Sequence, residues 1–220
     1  MKKFFVLTVL FALPLVAYLF FSSGVNNFAK LPVLTEDIAE LSNFETLDGK
    51  AIQLKDKITI LSFYGSSISK MEGNAFNLNE KIYDKNFKFK DLQFVVLAEK
   101  GTQKEAEKLL DEISTTVSTE KWVFAFGSLP EIKKVFNSLE TSYDLNKETA
   151  SPFVFIIDKD RNLRGRPLGS AETEKTVYGY DTRSVAEITN KMVDDVKVIL
   201  AEYRLALKKY NRNKAIQNET

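Results

Sequence analysis

Short apolar runs alternate along the chain with stretches in which apolar positions recur every three or four residues, and this predicts strands interleaved with helices. Ile58-Thr59-Ile60-Leu61-Ser62-Phe63-Tyr64 is apolar and rich in β-branched residues, as expected of a strand covered on both faces. Leu92 to Ala98, Trp122 to Phe126 and Phe153 to Ile157 repeat the pattern. Between them, Ala75, Leu78, Ile82 and Tyr83 fall on one face of a helix ending near Asn86. Ala106, Leu109, Leu110 and Ile113 mark a second helix, and Ile132, Val135, Phe136 and Leu139 a third. Val185, Ile188, Met192, Val196, Ile199, Tyr203 and Leu207 step along one long terminal helix, an amphipathic pattern.

Local signals refine these elements. Ser69…Glu72, Thr102…Glu105, Ser128…Glu131 and Ser184…Glu187 each have the spacing of a capping box, in which a side-chain oxygen and a carboxylate serve the amide groups of a helix start. Gly73 and Asn74 are poor helix formers and predict a loose first turn after Ser69. Thr35 is placed to cap a short helix over 36–41. Residues 42–47 alternate in polarity, Asp48-Gly49 signals a tight turn, and Ala51 to Leu54 returns, so an N-terminal hairpin is expected. Asp158-Lys159-Asp160-Arg161-Asn162 turns the chain into Leu163 to Arg166, and residues 167–182 read as a polar, exposed excursion. The sum is α/β: a central mixed sheet with helices on both faces, an N-terminal hairpin and a long C-terminal helix.

Ahead of this domain, Lys2-Lys3 precede an uncharged apolar run from Phe4 to Phe21, about 27 Å long as a helix and close to a bilayer core of about 30 Å. It reads as a cleaved signal peptide or a retained signal-anchor. The run exceeds the apolar length of a signal peptide, and Leu19-Phe20-Phe21 stand where cleavage needs small side chains, which favours one N-terminal transmembrane helix. The expected organisation is an anchor over 1–24, a linker and short lead-in helix over 25–40, the domain over 41–207, and a polar, fraying tail over 208–220. Lys2 and Lys3 keep the N-terminus cytoplasmic. In a bacterium this is a single-pass inner-membrane protein with a periplasmic domain, or a secreted one if the anchor is cleaved.

Composition narrows the chemistry. Thirty-one basic residues against thirty acidic ones give a net charge of +1, so no global field draws nucleic acid. The chain has no cysteine and no histidine, which removes disulfides, a lipoprotein anchor, the commonest metal ligand and the commonest general base. Ser66, Ser67 and Ser69 are a nucleophile site only if Lys70 or a carboxylate serves as base; the simpler reading is a solvated loop with Ser69 as cap. Asp158, Asp160 and Asn162 imitate the start of a calcium loop, but Leu163 and Gly169 occupy the places of its glycine and glutamate, which leaves a hairpin turn. Arg161, Arg164 and Arg166 read as charges guarding a solvated strand edge. Arg204, Lys208, Lys209, Arg212 and Lys214 complement the C-terminal helix dipole, with headgroup contact as the alternative. No cofactor or metal site is expected.

A strand ending in Phe63-Tyr64, a short loop and a helix, followed by Ser151-Pro152-Phe153-Val154-Phe155-Ile156-Ile157 and the Asp158–Asn162 turn, resembles the thioredoxin fold over residues 41–207. The likeness is to its peroxiredoxin, TlpA and Sco-type branch, which includes membrane-anchored bacterial members. The resemblance implies a cis-proline at Pro152 facing the loop, and cysteines where Ser66, Ser67, Ile68 and Ser69 stand. Without them thiol–disulfide exchange, cysteine peroxidase chemistry and Sco-type copper binding, which takes two cysteines and a histidine, are excluded. The expectation is a redox-inactive, membrane-tethered module, not an enzyme. It would bind an envelope protein or peptide in a groove formed by Ser66, Ser67, Ile68, Ser69 and Lys70 with Ser151 and Pro152. The alternatives are an assembly factor for a respiratory or envelope complex, or an enzyme using serine and lysine.

Overall fold

The computed structural model describes residues 2–23, 30–114, 118–167 and 176–218. Helix α1 (Lys2–Ser23) precedes a domain with strands β1 (Val33–Thr35), β2 (Glu45–Thr46), β3 (Ile58–Gly65), β4 (Leu92–Glu99), β5 (Trp122–Gly127), β6 (Ser151–Ile157), β7 (Leu163–Arg164) and β8 (Tyr180–Asp181). Helix α2 (Glu72–Leu78) runs through a π turn into α3 (Asp84–Asn86), and α4 (Gln103–Ile113) and α5 (Leu129–Ser138) follow. Helix α6 (Val185–Glu187) runs through a second π turn into α7 (Val193–Asn218).

The sheet order is β1-β7-β6-β3-β4-β5-β2, with β8 beside β6. Strand β3 is parallel to β4, and β4 to β5, while β6 is antiparallel to β3. Side chains alternate between two apolar layers. Ile58, Ile60 and Tyr64 face one core with Leu78, Leu109 and Ile199 from α2, α4 and α7. Leu61 and Phe63 face the other with Ile132, Val135 and Phe136 from α5. All eight β3 residues are buried, so the period-two pattern is hidden in sequence because both faces are apolar.

In the first core Asn79 sits in the π turn, where its amide donates to Ile113 O (3.2 Å) and its carbonyl accepts from Trp122 Nε1 (3.1 Å). The ring of Tyr83 meets that of Phe94 edge-on at 5.1 Å.

Several local expectations need correcting. Thr35 caps no helix: it ends β1, its hydroxyl donates to Leu139 O (2.9 Å), and residues 36–41 carry no helix. The Asp48-Gly49 turn forms, with Gly49 at φ +69°, but residues 51–54 do not return as a strand. Instead β2 pairs antiparallel with β5, where the preceding Phe44 is buried in the second core against Gly127. Thr102 precedes α4 but donates to Glu99 O rather than capping. The box at Ser128 forms, with Glu131 Oε2 accepting from Ser128 N (2.7 Å); at Ser184 only the serine half does, its Oγ accepting from Glu187 N (3.1 Å) while Glu187 Oε1 accepts from Asp181 N (3.2 Å).

The terminal helix runs on to Asn218 where a fraying tail was expected from residue 208, and Val185 and Leu207 are exposed rather than inward. Of the excursion over 167–182, residues 168–175 lie outside the described residues; Tyr180, in β8, is fully buried. Residues 25–29 of the expected linker, with Met1 and Gly24 of the expected anchor, also lie outside them. Among the described residues no helix is long and apolar enough to cross a membrane; the unbroken run of described side chains in α1 is Val6 to Leu19.

The largest correction concerns the arginines. Arg164 is buried, its side chain 6 % exposed, and its guanidinium donates to Asp158 Oδ2 (2.9 Å), Glu202 Oε2 (2.7 Å) and Leu31 O (2.6 Å). Burial pulls against its charge, but the two carboxylates more than offset it and hold its pKa above the ordinary arginine value. Asp158 Oδ1 accepts from the amides of Asp160 and Asn162, so the calcium-like spacing serves a hairpin turn. Arg166 clasps Asp195 through Nε and Nη2, and Tyr180 donates to the same carboxylate at 2.6 Å. Arg161 reaches Asp37 and Ile38 O. The three arginines tie the hairpin to the N-terminal segment and to α7.

Removing one partner of a buried pair leaves the other charge stranded. Arg164→Met is therefore expected to lower unfolding stability by about 3 kcal/mol or more, read from urea midpoints; a loss below about 1 kcal/mol would show that the network is solvated. Asn79→Ala, which strands the Trp122 indole N–H, is expected to cost about 1–3 kcal/mol in the same measurement.

Candidate functional site

The parallel strands end together at Gly65, Glu99 and Gly127, and the carboxyl ends of such strands are where α/β sheets hold ligands. Gly65 has φ +52°, and a Cβ there would lie 1.9 Å from Glu148 O and 2.4 Å from Thr149 Oγ1. Only glycine lets the 146–150 loop close onto the end of β3. Across that contact Ser66 N donates to Glu148 O (3.0 Å) and Lys70 Nζ meets Glu148 Oε1 at 2.5 Å. Thr149, at φ +54°, donates its hydroxyl to Glu99 Oε1 (2.8 Å).

The serine loop divides by exposure. Ser66, Ser69 and Lys70 are exposed, while Ser67 and Ile68 are buried. Ser67 N donates to Tyr64 O, and Ser67 O accepts from the amides of Lys70 and Met71. The segment Ile68–Met71 is thus a 3₁₀ turn with Ser67 at its head, and α2 begins only at Glu72. Ser69 therefore caps nothing, contrary to the expected box. The Ser67 hydroxyl makes no hydrogen bond among the described residues; it stands near enough to Glu148 to help hold that carboxyl down, without bonding geometry. Tyr64, behind it, is fully buried with its hydroxyl also unbonded, and burial pushes its pKa far up.

Ser151 is buried opposite Phe63. Pro152 follows it into β6, and its carbonyl accepts from both the amide and the hydroxyl of Thr182 (3.0 and 2.6 Å). The Ser151–Pro152 bond is trans, not cis as the resemblance implied. The extended strand already starts at Ser151, and the missing proline donor is absorbed by a register shift in the β3–β6 ladder between Leu61 and Phe63. The structure thus brings Ser66 and Lys70 against Glu148 and Gly65 against Thr149, while Ser151 pairs with Phe63 and Pro152 engages Thr182 one residue further along β6.

A cavity of about 190 Å3 opens beside the loop, between Ile68, Ser69 and Glu72 on one side and Glu105, Lys108, Leu109 and Glu112 of α4 on the other. Glu72, Glu105 and Glu112 rim it together with Lys108, which pairs with Glu112 at 3.3 Å, over the apolar floor of Ile68 and Leu109. A hydrogen bond between the carboxyls of Glu72 and Glu112 holds Glu72 above the ordinary glutamate value and Glu112 below it. Sequence reasoning missed Glu148, Thr149 and the α4 carboxylates. The α4 residues read as an ordinary solvated face, and nothing in the sequence links Glu148 to Lys70. No group of metal-ligating side chains occurs among the described residues, and no serine hydroxyl among them is bonded to Lys70.

No protein-family model and no curated protein matches the chain. Among solved structures, a SCO1/SenC family lipoprotein from Bacillus anthracis superposes with a TM-score of 0.55 at 16% identity, over 78% of this chain and 99% of that one. BsSco, a member of the Sco family of cytochrome c oxidase assembly proteins, gives 0.53 at 15% identity, over 79% and 98%. The fold is thioredoxin-like. At these identities the likeness extends to the fold alone; the loop Ser66–Ser69 of this chain holds no cysteine.

Gly65→Ala combines strain at positive φ with a backbone clash. It is expected to cost at least about 2 kcal/mol, measured by thermal or urea unfolding, and a near-neutral substitution would mean that the 146–150 loop is not held against β3. The hydrogen bond from Lys70 keeps the Glu148 carboxyl below its ordinary 4.5. A depressed carboxylate contributes fully above its unfolded value and loses that contribution as pH falls through its folded one. Amide-exchange protection of Ser66 should therefore exceed that of Glu148→Gln at neutral pH, and the two should converge below pH 4.5.

Proposed function

We infer that this is a membrane-tethered thioredoxin-like module without thiol chemistry, and not an enzyme, which holds an envelope protein or peptide at the carboxyl ends of β3 and β4. The observation that carries the reading is the close-packed junction of Gly65, Ser66 and Lys70 with Glu148, beside an open acidic cavity, in a chain without cysteine or histidine. The loops at Gly65–Lys70 and 146–150 close on each other where the superfamily places its chemistry, and neither holds a cysteine or a histidine. The acidic rim and the apolar floor of Ile68 and Leu109 suit a segment bearing a basic residue beside an apolar one.

Tethering is supported by the uncharged run Phe4–Phe21 within α1. Its side chains Phe4 (78 %), Phe11 (73 %) and Tyr18 (69 %) are exposed. A helix apolar all round, with no core to cover it, fits a bilayer rather than water. The domain then lies on the far side of the cytoplasmic membrane, opposite Lys2 and Lys3.

A second reading is favoured by the structural neighbours: an assembly factor for a respiratory or envelope complex, working as a docking partner without a copper site. It differs from the first only in what the partner is.

A photo-crosslinking residue at Ser69 in the full chain is expected to give one dominant adduct in intact cells, with Glu112→Lys reducing it at least fivefold. A control probe at Lys191 should give none, and matching adduct patterns from both positions would dispose of the docking role. Deleting the gene separates the readings: the assembly role requires loss of oxidase activity, and full activity leaves only the more general one.

A further inference from the structure

The opposite end of the sheet carries a cluster of cations without carboxylate partners among the described residues. Before β4, Lys85, Lys88 and Lys90 converge with Arg204 of α7 around a concavity of about 250 Å3 whose apolar wall is Phe89 and Leu200. Among the described residues none of these four cations is in an ion pair, whereas Lys55, Lys70, Lys100 and Lys159 each have a carboxylate within 4.0 Å. The acids closest in the chain and along α7 are engaged or withdrawn: Asp91 by Lys159, Glu202 by Arg164, and Asp84 by burial, which pushes its carboxyl up. Lys121 donates to Phe89 O behind the rim, and burial and then the nearby Lys57 hold its ammonium below the ordinary lysine range. The helix continues to Asn218 through four further basic residues, with no acid before Glu219.

We propose that this face docks on the headgroups of anionic phospholipids, laying the domain against the membrane so that the Ser66–Lys70 end points away from it. The proposal rests on the tethering inferred above. The occupant follows from where the chain joins the domain. Leu31 O accepts from Arg164, and Lys30 lies 4.0 Å from Glu202, two residues before Arg204 on the same helix. Seven residue steps, through residues 24–29, separate Ser23 from Lys30 and reach about 25 Å at most. With α1 in a bilayer, the α7 flank is therefore held close to the surface, where an anionic leaflet attracts cations within about a Debye length. Each basic residue next to such a leaflet strengthens binding about fivefold. Apolar stems beside Phe89 and Leu200 suit the headgroup boundary better than bulk water.

The chain has no cysteine, so a single labelled one can be placed at will. The test uses full-length Asn86→Cys, at the rim of the concavity, and Lys104→Cys, in the first turn of α4 at the other end of the sheet. Each carries a fluorophore and is reconstituted into vesicles with a headgroup-level quencher. The expected result is at least threefold stronger quenching at position 86 in vesicles with 30 % phosphatidylglycerol than in neutral phosphatidylcholine, an excess of about the fivefold contribution of one cation. That excess should vanish in 0.5 M salt, an ionic strength at which surface attraction is largely screened. It should also vanish in Lys85→Glu/Lys88→Glu/Arg204→Glu, whose urea midpoint serves as the folding control, while position 104 stays unchanged. Quenching at 86 that ignores lipid charge, or equals that at 104, overturns the proposal, as does equal release by millimolar inorganic phosphate at constant ionic strength, which would make the concavity a small-anion site. Alkaline carbonate extraction judges the tether separately. A chain that resists extraction but shows no charge dependence keeps the tether and loses the docking face. A chain that is extracted yet still binds anionic vesicles in a salt-sensitive way does the reverse.

Discussion

Strand β3 is covered on both faces and paired on both edges, and the rest of the domain is arranged around that constraint. Its side chains point alternately into a core closed by α2, α4 and α7 and into one closed by α5, so both layers have to form before the strand is out of water. Because its neighbours are β4 on one side and β6 on the other, the loops that leave β3 and enter β6 must meet at one end of the sheet. The meeting of Ser66 with Glu148 follows from that topology rather than from any local preference of either loop.

Charge completes what apolar burial begins. Arg164 and Arg166 connect a two-residue strand and the 158–162 turn to a long helix that would otherwise touch the sheet through one apolar stripe. Buried ion pairs add little net stability against an apolar alternative, but once present they penalise any arrangement that separates them. Here they set where α7 lies and where the chain joins the domain at Leu31. The same placement leaves Arg204 beside the lysines that precede β4, so a structural network on one side of α7 creates an uncompensated basic face on the other.

The candidate site shows how a loop can be fixed by contacts that leave its own exposed side chains free. Gly65 at positive φ, the Glu148 contact and the bond between Thr149 and Glu99 hold the loop in place through the backbone of Ser66 and Ser67, without a hydrogen bond from a hydroxyl of the serine loop among the described residues. What remains is a shaped, acidic, half-open surface. Such a surface is suited to recognition, because its geometry is set by backbone contacts and its specificity by exposed side chains that can change without disturbing the core.

Sequence alone determined the buried strands, the positions of α2, α4 and α5, the terminal helix and the α/β class, since each follows from apolar spacing that is local to the element. It also determined that no thiol or imidazole is present, and the resemblance of two separate segments pointed to the superfamily. Tertiary structure decided what depends on partners distant in the chain. The second arm of the Asp48-Gly49 turn yielded to pairing with β5, Thr35 became a strand end held by Leu139, and Pro152 remained trans within a strand already extended at Ser151. The three arginines, whose spacing reads as a solvated edge, became ties between distant segments, with Arg164 buried and Arg166 still exposed, because their carboxylates lie on segments from Asp37 to Glu202. No window of sequence contains both halves of such a pair, so only the folded chain could bring Lys70 to Glu148 or Arg164 to its acids.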